Sequence, residues 1–316
     1  MTPAQTAGDR PNSPSATTVW EHGRFDAKRA PGKLLFGRMY EDSAIERSAF
    51  RLGSRVFCIA SAGCTAIALA PDHDVVAVDI NRIQLDYAER RAAGQPAATG
   101  AAERVLGFGR GFAPAVGWSA SRLARFLELD DPAEQAAYWR AHLDTWRFRR
   151  AFDALLSLTA LSAVYAAPFL AFLPPRLGSV LRGRMLRCFA RHSNRSNGYA
   201  RALLLGEAPD EAPRAAPASI RFAHADAAGF LEAAEPGSFD AFALSNILDG
   251  ADGAYARRLA AAVKRAAAPG AVAVLRSFRE PAVALPTNRA ADDRAMLWGV
   301  VDVVPAALLP DAIGIP

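Results

Sequence analysis

The stretch from residue 54 to 93 constrains the fold more than any other. Arg55-Val-Phe-Cys-Ile-Ala60 is a short, apolar, β-branched run, the kind that forms a strand covered on both faces. Ser61-Ala62-Gly63 breaks it, and Cys64 to Ala70 then reads as a helix ended by Pro71-Asp72-His73. Val75-Val76-Ala77-Val78 is a second buried strand and stops at Asp79. Asn81 is placed to cap a helix from Arg82 to Ala93, which Gly94 and Pro96 close. Strand, tight turn, helix, strand, acid and helix make a βαβ unit, which requires parallel strands and a right-handed crossover.

The last third of the chain resumes this rhythm. Ser219 to His224, Phe239 to Leu244 and Ala271 to Ser277 read as strands, and Met296 to Val304 as one or two late edge strands. Helices over 226–234 and 252–268 separate them. Between the two halves, residues 95–217 carry no strand pattern, and segments 119–129, 132–150, 153–173 and 178–205 read as helical. The expected class is α/β, a doubly wound sheet with a large helical insertion between core strands two and three. The expected division is a disordered tail (1–20), the first part of the α/β domain (21–94), the insertion (95–217) and the second part of the α/β domain (218–316). The Pro- and Ala-rich stretch 208–218 reads as a linker back to the sheet.

Composition excludes several classes. Half of the 316 residues are hydrophobic (51%) and 22% are charged, so the chain can bury a large core and is not of disordered or fibrous type. Cys58, Cys64 and Cys188 give neither a disulfide framework nor a CxxC motif, and they fit a reducing, cytoplasmic setting. Residues 1–18 lack the apolar core of a secretory signal. The five histidines show no metal-ligand spacing, so no metal is expected. A net charge of +5 is modest for this length, and no nucleic-acid-binding module is visible, so no nucleic-acid partner is expected.

The first turn of a doubly wound sheet is where a nucleotide normally lies. Here it carries Ser61 and Gly63 but no GxGxxG, which disfavours a pyrophosphate. Asp79, at the end of the second strand, is placed to accept hydrogen bonds from ribose hydroxyls. Asp226, after the third strand, is either a helix N-cap or a neighbour of adenine, and the two roles are compatible. A glycine turn plus a second-strand acid suits a nucleoside without a diphosphate, of which S-adenosylmethionine is the common one.

Five stretches carry a resemblance. They are Gly37-Arg-Met-Tyr-Glu-Asp42 with Ile45-Glu46, Val56-Phe-Cys-Ile-Ala-Ser-Ala-Gly-Cys-Thr65, Val76-Ala-Val-Asp-Ile-Asn81 with Gln84-Leu85, Leu244-Ser-Asn-Ile-Leu-Asp249, and Leu275-Arg-Ser277. Together they resemble the S-adenosylmethionine:diacylglycerol 3-amino-3-carboxypropyltransferases of betaine-lipid synthesis, over about residues 33 to 300. The lipid enzymes have a Trp-Glu-Asp-Pro type motif where this chain has Tyr40-Glu41-Asp42-Ser43, and an Asp-His-Met-Asp-Trp type sequence where it has Asn246-Ile-Leu-Asp249-Gly. The chain is therefore similar to a shorter branch, of the size of the isonocardicin synthase type, which alkylates a phenol. The resemblance implies a class I methyltransferase-like fold, S-adenosylmethionine as co-substrate, and transfer of the 3-amino-3-carboxypropyl group with release of 5′-methylthioadenosine. It leaves the acceptor open between diacylglycerol, which leads, and a phenolic or other small metabolite. An ordinary methyltransferase, and a non-catalytic, membrane-associated S-adenosylmethionine binder, are the alternatives.

That chemistry assigns expected roles. Glu41, Asp42, Ser245 and Asn246 are candidates to hold the donor ammonium, and Arg38 or Arg276 its carboxylate in a bidentate fork. Asp249, His192 and Glu41 are the candidate bases. Tyr40, Asn197 and Tyr199 are candidates for the acceptor side. A phenol ionises near ~10, whereas an aliphatic alcohol resembles water at about 15–16, so a glycerol hydroxyl needs a positioned base more than a phenol does. Finally, residues 154–175 contain no charged side chain, while residues 140–201 hold eleven arginines against Asp144 and Asp153. The expectation is a buried helix of the insertion, or one that lies on a membrane surface or lines an acyl-chain pocket, with peripheral contact at the inner face of an anionic bilayer.

Overall fold

The computed structural model describes residues 34–162, 170, 173–207, 220–281 and 286–309. The expected tail, the linker 208–218 and most of the apolar stretch 163–172 lie outside the described residues. The chain builds a six-stranded sheet in the order β3-β2-β1-β4-β5-β6. These strands are β1 (Arg55–Ile59), β2 (Asp74–Asp79), β3 (Ile220–His224), β4 (Phe239–Ala243), β5 (Ala267–Ser277) and β6 (Val300–Pro305). The first five are parallel, and β6 runs antiparallel to β5 as the edge. The order reverses between β1 and β4, which opens a crevice at the carboxyl ends of the strands, as in Rossmann-like sheets.

Period-two alternation explains why both faces are apolar. Val56 and Cys58 of β1, with Val75 and Ala77 of β2, pack on one side against α2 (Cys64–Leu69) and α3 (Arg82–Ala92). Phe57, Val76, Val78 and Phe242 point to the other side. There they meet Leu231 of α11 (Ala227–Ala233) and Leu259 and Val263 of α12 (Gly253–Ala266). The Asn81 side chain accepts from the amides of Ile83 and Gln84 and caps α3.

Between α3 and β3 the described residues form only helices and turns. They comprise α4 (Ala101–Gly111), α5 (Ala120–Leu127), α6 (Pro132–Tyr138), α7 (Trp146–Leu155), α8 (Leu158–Ser162), α9 (Leu177–Phe189) and α10 (Gly198–Leu205). Trp118, Phe126, Trp139, Phe148 and Phe189 give this region an aromatic core of its own.

Several boundaries differ from expectation. The segment 132–150 is interrupted by a π-turn at Trp139–Leu143, after which Thr145 caps a new helix. The segment 178–205 is two helices, because the loop 190–197 intervenes and the Asn197 side chain starts α10. Helix α4 had no apolar periodicity pointing to the core, since none of its residues is buried. The late edge is one strand, β6, and β5 begins at Ala267, ahead of the Pro269-Gly270 pair read as a helix terminator. Among the described residues no helix is long and apolar enough to cross a membrane.

Candidate functional site

Two clefts lie on either side of the 35–41 segment, the first at the carboxyl edge of the sheet. The first is a cleft of about 60 Å³ cavity volume over the ends of β1 to β4, open to solvent. Its walls include Ser61, Asp79, Asp226, Ser245 and Asn246, so five of the six residues expected at a nucleoside come together there. Ile80, Ala227 and Ile247 add apolar surface. Leu35 and Phe36 close one side, because Gln84 clamps their backbone. Its Oε1 accepts from the amides of Leu35 (3.1 Å) and Phe36 (3.2 Å), and its Nε2 donates to the Phe36 carbonyl (2.8 Å).

Asp79 accepts from the amides of Ser61 (2.9 Å) and Asn81 (2.8 Å), one on each oxygen. The Ile80 amide also donates toward this carboxylate, and the acceptor capacity that remains faces the cleft. Burial outweighs these hydrogen bonds and pushes the Asp79 carboxyl up to about 6. Ser61 (φ 43°) and Ser245 (φ 52°) both adopt the left-handed conformation, which serine reaches only at a cost. Backbone strain of this kind gathers where a loop must aim groups into a site. The donor set, an acid beside apolar walls, fits a nucleoside.

The Asp226 side chain has three partners within the protein. It caps α11 through the Gly229 amide (2.9 Å) and accepts from Tyr255 Oη (2.7 Å) and Arg258 Nη1 (3.0 Å). Oδ2 carries two of these bonds and Oδ1 one, which leaves a lone pair of Oδ1 at the cleft wall. Gly63, the sixth expected residue, does not line the cleft. Its φ of 82° starts α2, and a Cβ there would lie 3.2 Å from the Ala88 Cβ of α3. Helix packing, rather than approach to a ligand, requires the glycine.

The second cleft has a cavity volume of about 350 Å³, and Arg38, Glu41, Asp42, Cys64, Tyr199 and Arg294 are among its walls. Glu41 is the junction between the two clefts. Its Oε1 accepts a hydrogen bond from Ser245 Oγ, whose residue walls the first cleft, while Glu41 itself walls the second. Thr65 Oγ1 donates to Glu41 Oε2 at 3.5 Å. Glu41 is only 4% exposed. Burial pushes its carboxyl up to about 7, although Arg276 and the Ser245 hydroxyl pull the other way.

Beneath Glu41 lies a buried charge cluster. Arg276, 0% exposed, donates to both oxygens of Glu46, to the Asp42 carbonyl (3.1 Å) and to Asp293 Oδ2 (3.3 Å). Its guanidinium is thus committed within the protein. The expected fork for a ligand carboxylate is corrected to a clasp joining the 41–46 segment to β5. Asp42 is committed likewise. Burial opposes its ionisation, but Arg294 donates through Nε and Nη2 (2.7 Å) and holds its carboxyl below the ordinary range. Its expected role as ammonium holder gives way to fixing Arg294 at the second cleft.

Other expected residues fall away from the clefts. The His192 ring bonds the Ala291 carbonyl (2.9 Å) and lines neither cleft, so it is placed as a loop anchor and not as a base. Asn197 caps α10 and donates to the Arg294 carbonyl (3.1 Å). Tyr40 lines neither cleft, and its carbonyl accepts from Trp298 Nε1 (2.8 Å). Tyr199 does wall the second cleft, and its hydroxyl donates to the Glu41 carbonyl (2.7 Å). Asp249, 2% exposed, sits one hydrogen bond behind the first cleft. It accepts from Ser277 Oγ (2.6 Å), the Phe278 amide (3.0 Å) and Asn246 Nδ2 (3.4 Å). That geometry positions Asn246 and leaves Asp249 without an opening to a reacting atom.

Sequence reasoning missed Arg294, Asp293 and Glu103. Glu103 accepts from the amides of Gly37 (2.9 Å), Arg38 (3.1 Å) and Gly100 (2.8 Å) and so fixes the strap between the clefts. The Gly100-x-x-Glu103 spacing at the start of a helix was its one local signal. No protein-family model matches this chain, and neither the curated proteins nor the solved structures contain a match.

Proposed function

We propose that this protein is a transferase of class I methyltransferase-like fold that binds S-adenosylmethionine in the first cleft. It moves the 3-amino-3-carboxypropyl group to a hydroxyl of an acceptor held in the second cleft. The observation that carries the reading is Glu41, a buried carboxyl at the wall of the second cleft that is hydrogen-bonded to Ser245 of the first and pushed up to about 7 by burial. The residues of this chain divide the work. Asp79 receives the ribose hydroxyls, and the apolar side chains of Ile80, Ala227 and Ile247 flank the base. Ser245 and Asn246 stand where the donor's amino-acid tail must pass toward the second cleft.

The donor supplies an electron-poor carbon next to a sulfonium. Glu41 takes the proton from the acceptor hydroxyl as the new carbon–oxygen bond forms. The carbon–sulfur bond breaks with its electron pair going to sulfur, so neutral 5′-methylthioadenosine leaves. A base that titrates near neutrality combines a substantial ionised fraction with adequate proton affinity. Ser245 and Thr65 hold the carboxyl in place, and Arg276 at 4.0 Å favours its ionised form. Acceptor choice stays between diacylglycerol and a phenolic or other small metabolite.

The test is the nucleoside coproduct. The protein is incubated with S-adenosylmethionine and, in turn, detergent-dispersed diacylglycerol and a panel of phenols, and products are read by mass spectrometry. Acceptor-dependent methylthioadenosine is expected. Acceptor-dependent S-adenosylhomocysteine makes the protein a methyltransferase and overturns the transferred group while leaving the donor cleft standing.

A further inference from the structure

The walls of the second cleft carry an unequal charge. Among the described residues that line it, four arginines (Arg38, Arg47, Arg91 and Arg294) stand against two carboxyl groups, Glu41 and Asp42. Asp42 is matched by Arg294, which binds it through Nε and Nη2. Glu41, pushed up to about 7 by burial, adds only part of a negative charge at neutral pH. The fork to Asp42 leaves Nη1 of Arg294 without an acceptor among the described residues, on a side chain that is 38% exposed. Arg47, 3.4 Å from Asp72, is an exposed charge at the same cleft.

The start of α10 forms another part of the wall, through Ser196, Gly198 and Tyr199. The Asn197 side chain accepts from the amides of Tyr199 (3.0 Å) and Ala200 (3.2 Å), and the Gly198 amide has no acceptor among the described residues. A helix start and guanidinium N–H groups both favour a negative charge. Tyr199 connects this end of the cleft to Glu41, because its backbone belongs to α10 and its hydroxyl donates to the Glu41 carbonyl (2.7 Å).

Apolar surface is scarce by comparison. The aliphatic side chains larger than alanine in these walls are Met39, Ile67 and Pro96. The exposed apolar stripe of α4 and its C-cap, Val105, Phe108 and Phe112, lines neither cleft. The cavity of about 350 Å³ is at the small end of ligand pockets, which run from about 300 to 1,000 Å³. The second cleft is the acceptor site in the function proposed above, and on that reading we infer that the acceptor is a compact, water-soluble hydroxyl compound bearing a carboxylate or a phosphate. Arg294 and the start of α10 receive the anionic group, and the hydroxyl lies toward Glu41. A basic cleft concentrates and orients such an anion, whereas diacylglycerol brings no charge to match the arginines.

Cys64 reports the charge of this cleft without any turnover. It lines the cleft, and the other two cysteines, Cys58 and Cys188, are buried. Arg91 Nη1, 2.9 Å from its Sγ, acts on the thiol and so affects iodoacetate and iodoacetamide alike. The ratio of the two alkylation rates therefore isolates the charge of the reagent. In the native full chain at low salt, the iodoacetate-to-iodoacetamide ratio at Cys64 should exceed that of N-acetylcysteine about tenfold, and the excess should shrink as salt rises. Arg294→Gln should remove most of the excess. Arg47→Gln, at an exposed position, should remove part of it and keeps the test open if stranding Asp42 unfolds the first variant. A ratio equal to that of N-acetylcysteine, or an excess that both variants leave unchanged, would overturn the inference. Methylthioadenosine release is then compared within matched acceptors, 4-hydroxyphenylacetate against 4-methylphenol and glycerol 3-phosphate against glycerol. The anionic member should lead about tenfold in kcat/KM, and the pair in which it does so separates carboxylate from phosphate. A lead by the neutral members, or by dispersed diacylglycerol, would overturn the inference and leave the transfer reading standing. S-adenosylhomocysteine in place of methylthioadenosine would overturn the transfer reading, while the Cys64 ratio would still report an anion-binding cleft.

Discussion

Replacing Glu41 by glutamine should make the protein more stable and less active, with the gain confined to neutral and alkaline pH. Glu41 is displaced from an ordinary value of 4.5 to about 7, chiefly by burial. At about 1.4 kcal/mol per pH unit, that displacement is worth about 3 kcal/mol. The unfolded chain gives up this proton near the ordinary value, and the folded chain keeps it until about 7. Stability tied to Glu41 is therefore complete below the unfolded value and is lost as pH rises through the folded one. Glutamine keeps the oxygen that accepts from Ser245 and carries no charge to bury. Urea unfolding of Glu41→Gln and wild type, compared at about pH 5 and about pH 8, should show a relative gain for the variant of about 2–3 kcal/mol at the higher pH. Asp79 and Asp249 also titrate upward, but they are common to both proteins and cancel in the difference. A variant that instead loses more at pH 8 than at pH 5 would refute the reasoning, because it would mean that Glu41 is ionised and tightly paired with Arg276. Turnover should fall about 10²- to 10⁴-fold in the same variant, the usual worth of a positioned base.

Three further outcomes are expected. Asp79→Ala should weaken S-adenosylmethionine binding by about 1–3 kcal/mol in calorimetry, and an unchanged affinity would remove Asp79 from the ribose. Arg276→Met should destabilise the fold by about 3–5 kcal/mol, because it strands Glu46 and Asp293 in the core without their cation. Adding Glu46→Gln should recover part of that loss, and no recovery would show that the clasp is not the cause. Gly63→Ala should cost about 1–2 kcal/mol through its left-handed backbone and its contact with Ala88, while donor affinity in the folded variant stays at the wild-type value.

The α/β core was legible because its signals are local. Strands β1 to β4 are runs of five or six residues whose order follows from the crossover rule, and Asn81 and Asp226 cap their helices with amides two or three residues away. Their position then placed Ser61, Asp79, Asp226, Ser245 and Asn246 at one edge of the sheet, where the first cleft opens. The helical insertion was less legible. Its π-turn at Trp139–Leu143 interrupts a helical composition that continues without pause, whereas the break at 190–197 carries a Ser- and Asn-rich signal that the helical reading of 178–205 passed over. The apolar stripe of α4 faces outward, so the usual inference from periodicity to core does not hold there.

What the sequence determined by itself was the alternation of strands and helices, the crevice at their carboxyl ends and the acid at the end of β2. Only tertiary structure decided which charged groups face a ligand. Arg276 looked available for a carboxylate, but Glu46 reaches it from 230 residues away, and Asp42 is taken by Arg294 across 252 residues. The Ser245–Glu41 hydrogen bond that joins the two clefts spans 204 residues. Local patterns act over a few residues, whereas the ionisation and commitment of a buried charge depend on burial and on partners that long-range packing brings to it.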